Sequence, residues 1–288
     1  AQRRDLTING LFYNIADFSL VDFVGGMEDL KAGRIRVIGD PAARFVRDPV
    51  RMLRVLRHAA RTGFSIDAAA WEEIRAKGHL IRTCPPARVR DEILKDFRSG
   101  AIQPFFELMT ASGLFYAIFR AWAGRPAVER RLLELCGRLD LLVKGGVSLP
   151  DSLLWALFLS AYVEPELQPL DFKELREFIQ EKIKEAMGGI EFPRQRQDEV
   201  SQMLALEQRL VPLLRRRQAI PVRLTRLTLY PATWLLHQIK TAPEAELLER
   251  CQPEALPPPP PPAKRRRSRR RRRPRGRRKR PEGKRPET

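Results

Sequence analysis

A densely basic segment between Arg44 and Phe64 contains the residues best suited to chemistry with anions. Asp48 followed by Pro49 is a typical helix start, with the acid as N-cap and the proline as the first helical residue. Apolar residues then recur with a helical period, which predicts a helix that ends at Gly63. Its opposite face either binds an anion or is simply solvated, and it presents these basic residues: Arg51, Arg54, Arg57, His58 and Arg61.

The first two charged residues of this helix are suited to reading a nucleobase. Asp48 and Arg51 are three positions apart and are therefore neighbours on one helix face. A carboxylate accepts from an exocyclic amine, and a guanidinium donates to a ring nitrogen or carbonyl, as in the recognition of base edges. In the alternative interpretation Asp48 merely caps its own helix. The carboxylate has enough lone pairs to do both.

A second polar cluster runs from Arg3 to Asn9 with the sequence Arg-Arg-Asp-Leu-Thr-Ile-Asn. In this cluster Arg4 is able to bind a phosphate through two parallel hydrogen bonds. Asp5 and Asn9 are able to bond ribose hydroxyls or to cap a helix. The alternative is a capped helix start with salt-bridged arginines, and the spacing alone does not choose between the two.

Hydrophobic patterning predicts a small α/β unit at the start of the chain. A helix, a strand, a short helix and a second strand follow one another over residues 7–15, 17–24, 27–32 and 34–38. Gly25-Gly26 follows the first strand, where it either forms a plain turn, which we favour, or admits a ligand closely. Two strands are not a stable sheet in water, so residues 1–43 look like the last piece of a larger α/β domain.

From Arg44 onward the pattern is helical throughout. Turn signals rich in Gly and Pro separate the predicted helices, which are 48–62, 67–77, 86–98, 102–112, 127–143, 149–161, 172–187, 193–215 and 231–239. Trp155, Phe158 and Tyr162 are expected in the hydrophobic core rather than in a cofactor site.

The net charge of +19 is concentrated at the carboxyl terminus. Residues 264–288 contain 16 Lys and Arg against two Glu, a net charge of +14 that leaves +5 for residues 1–263. A run of prolines over 257–262 predicts a stiff polyproline II spacer. The basic tail after it has no hydrophobic residues and repels itself, so we expect it to be disordered.

Cysteine and histidine usage excludes some classes of site. The three cysteines are far apart and fit no metal-ligand or redox spacing, and the three histidines show no pairing motif. No signal peptide is visible and no apolar run approaches the length of roughly 18 residues needed to span a membrane. We therefore expect an intracellular protein. The chain begins with Ala-Gln-Arg-Arg-Asp and not with Met, which looks like a cut end.

Five short motifs follow one another in order: Arg3-Arg4-Asp5-x-Thr7-x-Asn9, Gly25-Gly26-x-x-Asp29-Leu30, Ile38-Gly39-Asp40-Pro41, Asp48-Pro49-Val50-Arg51-Met52-Leu53-Arg54 and Pro86-Ala87-Arg88-Val89-Arg90-Asp91-Glu92. In this order they resemble the class II nucleotidyltransferases, the family of bacterial poly(A) polymerases and CCA-adding tRNA nucleotidyltransferases. The resemblance is dense over residues 3–100 and loose over residues 100–250.

The resemblance implies a role for each matching residue. Arg4 and Asp5, with Asn9 nearby, would bind the ribose of the incoming nucleotide, and Asp48 and Arg51 would read its base. Further nucleotide contacts are implied for Arg54, near the triphosphate or RNA backbone, and for Arg88 and Arg90 of the last motif, whose Glu92 would buttress the site. We expect RNA contacts from the basic residues Arg57, Arg61, Arg265, Arg266 and Arg270.

The sequence departs from the family pattern in two ways. The residue before Asp48 is a Glu in the family and Arg47 here, a charge reversal that bears on the position of Arg51 or Arg54. In the family, two metal-binding carboxylates and a Gly-Ser phosphate loop lie upstream of the Arg-Arg-Asp motif, where they hold Mg²⁺. We therefore expect no metal site and no catalysis from this chain alone, and Mg²⁺ only in a full-length enzyme.

The resulting fold prediction is mainly α, a helical neck, body and tail with a small α/β remnant of a nucleotidyltransferase head at the amino terminus. The predicted units are 1–43 for the head remnant, 44–125 for the neck, 126–256 for the body and tail, and 257–288 for the disordered basic end.

The proline run and basic tail favour the poly(A) polymerase branch, since arginine-rich segments bind phosphates without reading sequence. We expect the carboxyl-terminal part of a bacterial, cytoplasmic polynucleotide adenylyltransferase that adds AMP from ATP to RNA 3′ ends, with RNA-processing proteins as possible partners of the tail. The alternatives are a CCA-adding tRNA nucleotidyltransferase and a non-catalytic RNA-binding protein.

Overall fold

The structure is a computed structural model that describes residues 1–168 and 170–252. Its described part is mainly helical, and its short strands all lie between residues 11 and 66, which confirms the predicted mixture of a small α/β segment and helices. The proline run, the basic tail and the tail arginines Arg265, Arg266 and Arg270 lie outside the described residues.

The amino-terminal strands form two small pairs. Strand β1 (Leu11–Tyr13) runs antiparallel to β2 (Leu20–Asp22). Strand β3 (Arg34–Ile35) runs parallel to β4 (Ser65–Ile66), so the chain returns to the first unit after its first long helix. The strand predicted over 34–38 is therefore shorter than expected.

The helix predicted over residues 7–15 is wrong. Thr7–Asn9 forms a single 3-10 turn, and the chain then enters β1. Gly10 interrupts any helix here, and the aromatic residues Phe12 and Tyr13 favour an extended strand.

Helix α1 (Gly26–Ala32) confirms the predicted short helix, and the glycine pair before it serves the chain itself. Gly25 has a φ of 76°, and a Cβ on Gly26 would lie 2.2 Å from the carbonyl oxygen of Thr7. Only glycine fits so close an approach of two backbone segments. The Asp22 carboxylate accepts hydrogen bonds from the amides of Gly26 and Met27, which start the helix. The plain-turn interpretation of Gly25-Gly26 is therefore confirmed.

Two helices meet at Asp48. The first, α2 (Pro41–Arg47), was missed by the sequence analysis, although Asp40 caps it by accepting from the amides of Ala42 and Ala43. The second, α3 (Val50–Thr62), begins after Pro49 and ends at Gly63, with a φ of 71°. Asp48 itself lies between the helices in a non-helical conformation, with a φ of −149° and a ψ of 85°, and its side chain makes no capping hydrogen bond. The predicted N-cap role of this side chain is wrong.

Every remaining predicted helix, from 67–77 to 231–239, agrees with the structure to within two residues at either end. Seven short elements were missed: the 3-10 helices Gly78–Thr83, Arg120–Trp122, Glu164–Glu166 and Glu244–Glu246, and the helices Leu114–Ile118, Val222–Thr225 and Leu247–Arg250. The helices are α4 (Ala68–Lys77), α5 (Pro86–Phe97), α6 (Ile102–Ala111), α7 (Leu114–Ile118), α8 (Pro126–Lys144), α9 (Asp151–Val163), α10 (Phe172–Met187), α11 (Arg194–Arg215), α12 (Val222–Thr225), α13 (Tyr230–Thr241) and α14 (Leu247–Arg250).

One continuous cluster of buried apolar residues extends from Leu6 to Cys251. Its centre is an aromatic group in which Phe158 of α9 contacts Phe97 of α5, with ring centroids 6.0 Å apart, and Trp122, at 4.9 Å. The predicted core residues Trp155, Phe158 and Tyr162 are all buried there, at 2% exposure or less. This shared core fixes α3 and α5, the two helices that position the candidate site.

Candidate functional site

The basic face of α3 is covered by carboxylates of the same chain. Arg51 and Arg54 meet Asp5, Arg54 and Arg57 meet Glu92, and Arg57 and Arg61 meet Asp96. The face is therefore neither simply solvated nor left free for an external anion. The sequence analysis missed this arrangement and did not single out Asp96, which lies four residues after Glu92 on α5 and hence on the same helix face.

Asp5 links the amino-terminal motif to the start of α3. Its Oδ2 lies 2.6 Å from Nη1 of Arg54, and its Oδ1 contacts Nη1 of Arg51. Burial alone would lower the pKa of Arg54, but the hydrogen bond to Asp5 and the charge of Glu92 raise it.

Arg51 is held by charge rather than by aligned hydrogen bonds. Its side chain is 16% exposed, and its Nε lies 3.6 Å from Oδ2 of Asp48. Within residues 1–168 and 170–252, neither Nε nor Nη1 of Arg51 has an aligned hydrogen-bond acceptor. Both nitrogens are buried against the carboxylates of Asp5 and Asp48, so a ligand reaches them only by displacing these acids.

Asp48 faces the beginning of α5. Its Oδ2 accepts a hydrogen bond from Nη2 of Arg88 at 3.1 Å and its Oδ1 lies 3.0 Å from Nη1, an ion pair that joins the end of α2 to α5. Because Arg88 is 43% exposed, this pair is accessible to solvent. Asp48, Arg51 and Arg88, which the sequence placed in one site, are therefore brought together.

The second half of α3 is locked to α5 by a buried ion-pair network. Nε of Arg57 lies 3.0 Å from both carboxylate oxygens of Asp96, and Nη2 of Arg57 donates to the backbone carbonyl of Glu92 at 2.7 Å. Arg57 is 7% exposed, so its burial favours a structural role over the predicted RNA contact, which stays untested. Arg61 is more exposed and bonds both Asp96 and the carbonyl of Lys95.

The two acids of this network respond differently to their surroundings. Burial alone would raise the pKa of Glu92, but hydrogen bonds from Lys95 and Arg57 and the charge of Arg54 lower it to about 2. For Asp96, burial outweighs Arg57 and Arg61 and raises the pKa. Burial, with the charge of Arg57, also lowers the pKa of His58, whose Nε2 lies 3.3 Å from the side-chain nitrogen of Asn9.

Two polar cavities open on either side of Arg51. One of about 450 Å³ is lined by the predicted residues Arg4, Asp5, Asn9, Arg51 and Arg54, together with Arg3. The other, of about 560 Å³, is lined by Gln2, Arg3, Arg44, Arg47, Asp48, Arg51 and Arg88. Each has several arginines against a single aspartate, a charge balance that suits phosphate groups.

Arg47 and Arg90 occupy different surroundings. Arg47, which replaces the family's Glu, is exposed and lines the larger cavity beside Asp48. Arg90 lines neither of these cavities: it pairs with Asp91 at 2.9 Å and donates to the carbonyl of Glu191 at 3.3 Å, after α10. The structure thus separates Arg90 from the other predicted nucleotide contacts.

Metal binding finds no support among the residues that the structure describes. No group of three or more His, Cys, Asp or Glu side chains within residues 1–168 and 170–252 is placed to hold a metal ion. The acids nearest Arg51 and Arg54 are instead bound to arginines: Asp5, Asp48 and Glu92. In the same part of the chain, no helix is both long and apolar enough to cross a membrane.

Comparison with known protein families matches two parts of the chain. Residues 1–36 match the poly A polymerase head domain, and residues 63–124 match the family described as a probable RNA and SrmB-binding site of polymerase A. The residues that line the two polar cavities lie in or between these two matches.

Curated relatives and solved structures point the same way. The chain is 43% identical to poly(A) polymerase I of Escherichia coli O6:H1 over 134 residues, 46% of this chain and 28% of that protein. Its fold is similar to the Bacillus stearothermophilus CCA-adding enzyme in complex with CTP, with a TM-score of 0.62, 21% identity, and coverage of 87% of this chain and 57% of that one. It is also similar to the Thermotoga maritima CCA-adding enzyme complexed with tRNA, with a TM-score of 0.60, 22% identity, and coverage of 86% and 58%.

The fold and the ordered motifs define a nucleotidyltransferase-type protein. Over residues 1–36 and 63–124 the chain matches the poly(A) polymerase/CCA-adding nucleotidyltransferase family, with the head domain matched only in part, which confirms the resemblance seen in the sequence. The chain spans between 28% and 35% of the length of the poly(A) polymerases I that it matches first.

Proposed function

We propose that this chain forms the nucleotide-reading and RNA-holding part of a polynucleotide adenylyltransferase. The complete protein would transfer AMP from ATP to RNA 3′ ends in a bacterial cytoplasm. The similarity to poly(A) polymerase I over 134 residues supports the adenylyltransferase branch. The match to an RNA-binding family over residues 63–124 supports RNA as the partner.

One observation carries the proposal: Asp48 and Arg51 converge on one cavity wall while two nitrogens of Arg51 lack aligned acceptors in the described part of the chain. A base edge that offers an acceptor beside a donor matches this pair. Asp5 and Arg4 would hold the ribose and a phosphate in the adjoining cavity. Because Asp5 already contacts Arg51 and Arg54, a bound nucleotide has to rearrange these ion pairs.

The described residues do not fit Mg²⁺, because each carboxylate beside the two cavities is paired with arginine. We therefore assign them binding and orientation of the nucleotide, and no step that involves a metal. Mg²⁺ remains an expectation for a protein that contains the complete head domain.

A CCA-adding activity is the second candidate, and it is favoured by the similar fold of CCA-adding enzymes. Primer extension by a protein that carries the complete head domain separates the candidates. ATP alone, CTP alone and both would be offered with generic RNA and with tRNA lacking its CCA end. Long A-tails on generic RNA support our proposal, and addition that stops after CCA on tRNA supports the second candidate. A complete protein that incorporates nothing yet binds RNA would be a non-catalytic RNA-binding protein.

A further inference from the structure

A third cavity, away from the two beside Arg51, has a different chemistry. It has a volume of about 430 Å³ and lies where the 3-10 helix Gly78–Thr83, the start of α5, the end of α7 and the turn after α10 meet. Its walls include the apolar side chains of Ile81, Val89, Ile118 and Ile190, all at most 7% exposed. We call it the apolar slot. Its volume is in the range of small-ligand sites.

Hydrogen bonds between distant parts of the chain fix the walls of the apolar slot. The indole Nε1 of Trp122 donates to the carbonyl of Ala186 at 3.0 Å, which ties the segment after α7 to the end of α10. Arg90 of α5 donates to the carbonyl of Glu191 on the far side of the same turn. The slot is therefore a preformed feature and costs little ordering when it is filled.

Two arginines stand at the apolar slot. Nε of Arg82 donates to the carbonyl of Ala117 at 2.9 Å, which orients this guanidinium. Arg82 and Arg120 are both exposed, and neither pairs with a carboxylate in residues 1–168 or 170–252. An apolar slot flanked by two such guanidiniums suits a ligand with a flat apolar part and an anionic part.

The apolar slot adjoins the nucleotide-reading residues through α5. Pro86 and Val89 line the slot, while Arg88, between them in the chain, pairs with Asp48 in the larger polar cavity. Most of the slot's lining falls within residues 63–124, which match the RNA-binding family. A strand whose end lies at Arg51 would thus pass the first turn of α5 on its way to the slot.

We propose that the apolar slot binds one base of single-stranded RNA, upstream of the 3′ end, with its phosphate at Arg82 and Arg120. Single-stranded RNA can turn an unstacked base into such a site and stack it on an arginine plane. The inference rests on the proposed RNA partner but not on adenylyl transfer. The two exposed arginines, which suit a phosphate group, favour RNA over an apolar peptide.

Gly189 offers a way to fill the slot. Gly189 lines the slot and a Cβ on it meets no atom within 4 Å, so Gly189→Leu adds an apolar side chain at the lining without a clash at its Cβ. Ala111→Leu, on the exposed end of α6, is the matched control because it adds a similar apolar side chain away from the slot. Urea unfolding of both variants verifies that they fold.

The probe is single-stranded oligoadenylate in which one abasic nucleotide is moved step by step from the 3′ end. For the unaltered chain we expect one position at which the missing base weakens binding at least about fivefold. Gly189→Leu should abolish this position dependence, and Ala111→Leu should keep it. Equal losses at all positions, or position dependence that survives Gly189→Leu, would overturn the proposal.

The arginines provide an independent test. The double variant Arg82→Ala/Arg120→Ala should lower the slope of log affinity against log salt by about 0.7, the value for the one phosphate that the two arginines share. Arg130→Ala, which removes an equally exposed arginine on α8, should leave the slope unchanged. Equal slopes for all variants would contradict the proposal that the apolar slot binds RNA, but not the proposed RNA partner. No RNA binding by the unaltered chain would overturn both.

Discussion

Asp5 and Arg54 are 49 residues apart in the chain, yet Oδ2 of Asp5 lies 2.6 Å from Nη1 of Arg54. The same carboxylate contacts Arg51, so a single acid occupies two of the arginines that the sequence assigns to nucleotide binding. In the ligand-free chain the binding residues thus neutralise one another, and a nucleotide competes with an internal partner for Arg51.

Arg51→Ala should impair the choice of nucleotide much more than the binding of RNA. The substitution removes the donors that lack aligned acceptors in the described part of the chain, and one good bidentate base contact is worth about 5- to 150-fold in discrimination. Competition between ATP and other nucleotides in primer extension, with a protein that carries the complete head domain, measures the selectivity. RNA affinity measured on the same variant is the internal comparison, and equal losses in both would contradict the reading role.

Arg57→Ala should destabilise the fold strongly. It leaves Asp96, at 1% exposure, and Glu92, at 4%, without their shared buried partner, and breaking such a network costs about 3 to 5 kcal/mol. Arg61→Ala, which removes a more exposed partner of Asp96, should cost about 1 kcal/mol or less. Urea unfolding compares the two, and similar losses would mean that burial of Arg57 does not determine its contribution.

The pKa of Glu92 predicts how acid affects the same network. Its folded-state pKa of about 2 lies below the ordinary value of 4.5, so its contribution is complete above about pH 4.5 and is lost as the pH falls toward 2. The stability difference between the unaltered chain and Glu92→Gln should therefore shrink across this interval. The raised pKa of Asp96 makes its own contribution to stability fall as the pH rises. Because Asp96 is present in both proteins, this contribution largely cancels from the difference in stability between them. A difference that is constant from pH 5 to 2 would show that Glu92 is not preferentially ionised in the fold.

The regular helices were predictable because their signals are local. Helix α10 (Phe172–Met187) matches the predicted segment 172–187, since Asp171 caps it and its apolar residues recur with a helical period. Helix α2 was missed because its start, Asp40-Pro41, also reads as the end of a strand. The role of the Asp48 side chain was mispredicted because it depends on a tertiary contact: it accepts from Arg88, forty residues away, instead of capping its helix.

The motifs predicted which residues meet but not how they pair. Asp5, Asp48, Arg51, Arg54 and Arg88 are brought together as the resemblance implies. The pairing of the α3 arginines with the acids of α5 depends on how the two helices cross. A local sequence pattern contains no information about that crossing. A search for acids spaced four apart would have found Glu92 and Asp96 as partners for the arginines of α3.

Gly26→Ala should disturb the amino-terminal motif. The added Cβ would lie 2.2 Å from the carbonyl oxygen of Thr7, so the backbone has to move, at a cost of about 1 to 3 kcal/mol. Gly189→Ala adds the same methyl group in open space and should change stability by about 0.5 kcal/mol or less. Thermal unfolding of both variants tests this, and equal effects would refute the close-approach explanation.

The tail arginines should strengthen RNA binding through charge and without sequence preference. Replacing Arg265, Arg266 and Arg270 together by Ala removes three of the 16 basic residues of 264–288 and should lower the salt slope of RNA affinity by up to about 2. The triple replacement by Lys keeps the charge and should keep the slope, because counterion release depends on charge and not on the fork geometry of arginine. Affinities for RNAs of different sequence should fall by the same factor in the Ala variant. A loss confined to one sequence, or a Lys variant as weak as the Ala variant, would show that these arginines make specific contacts instead.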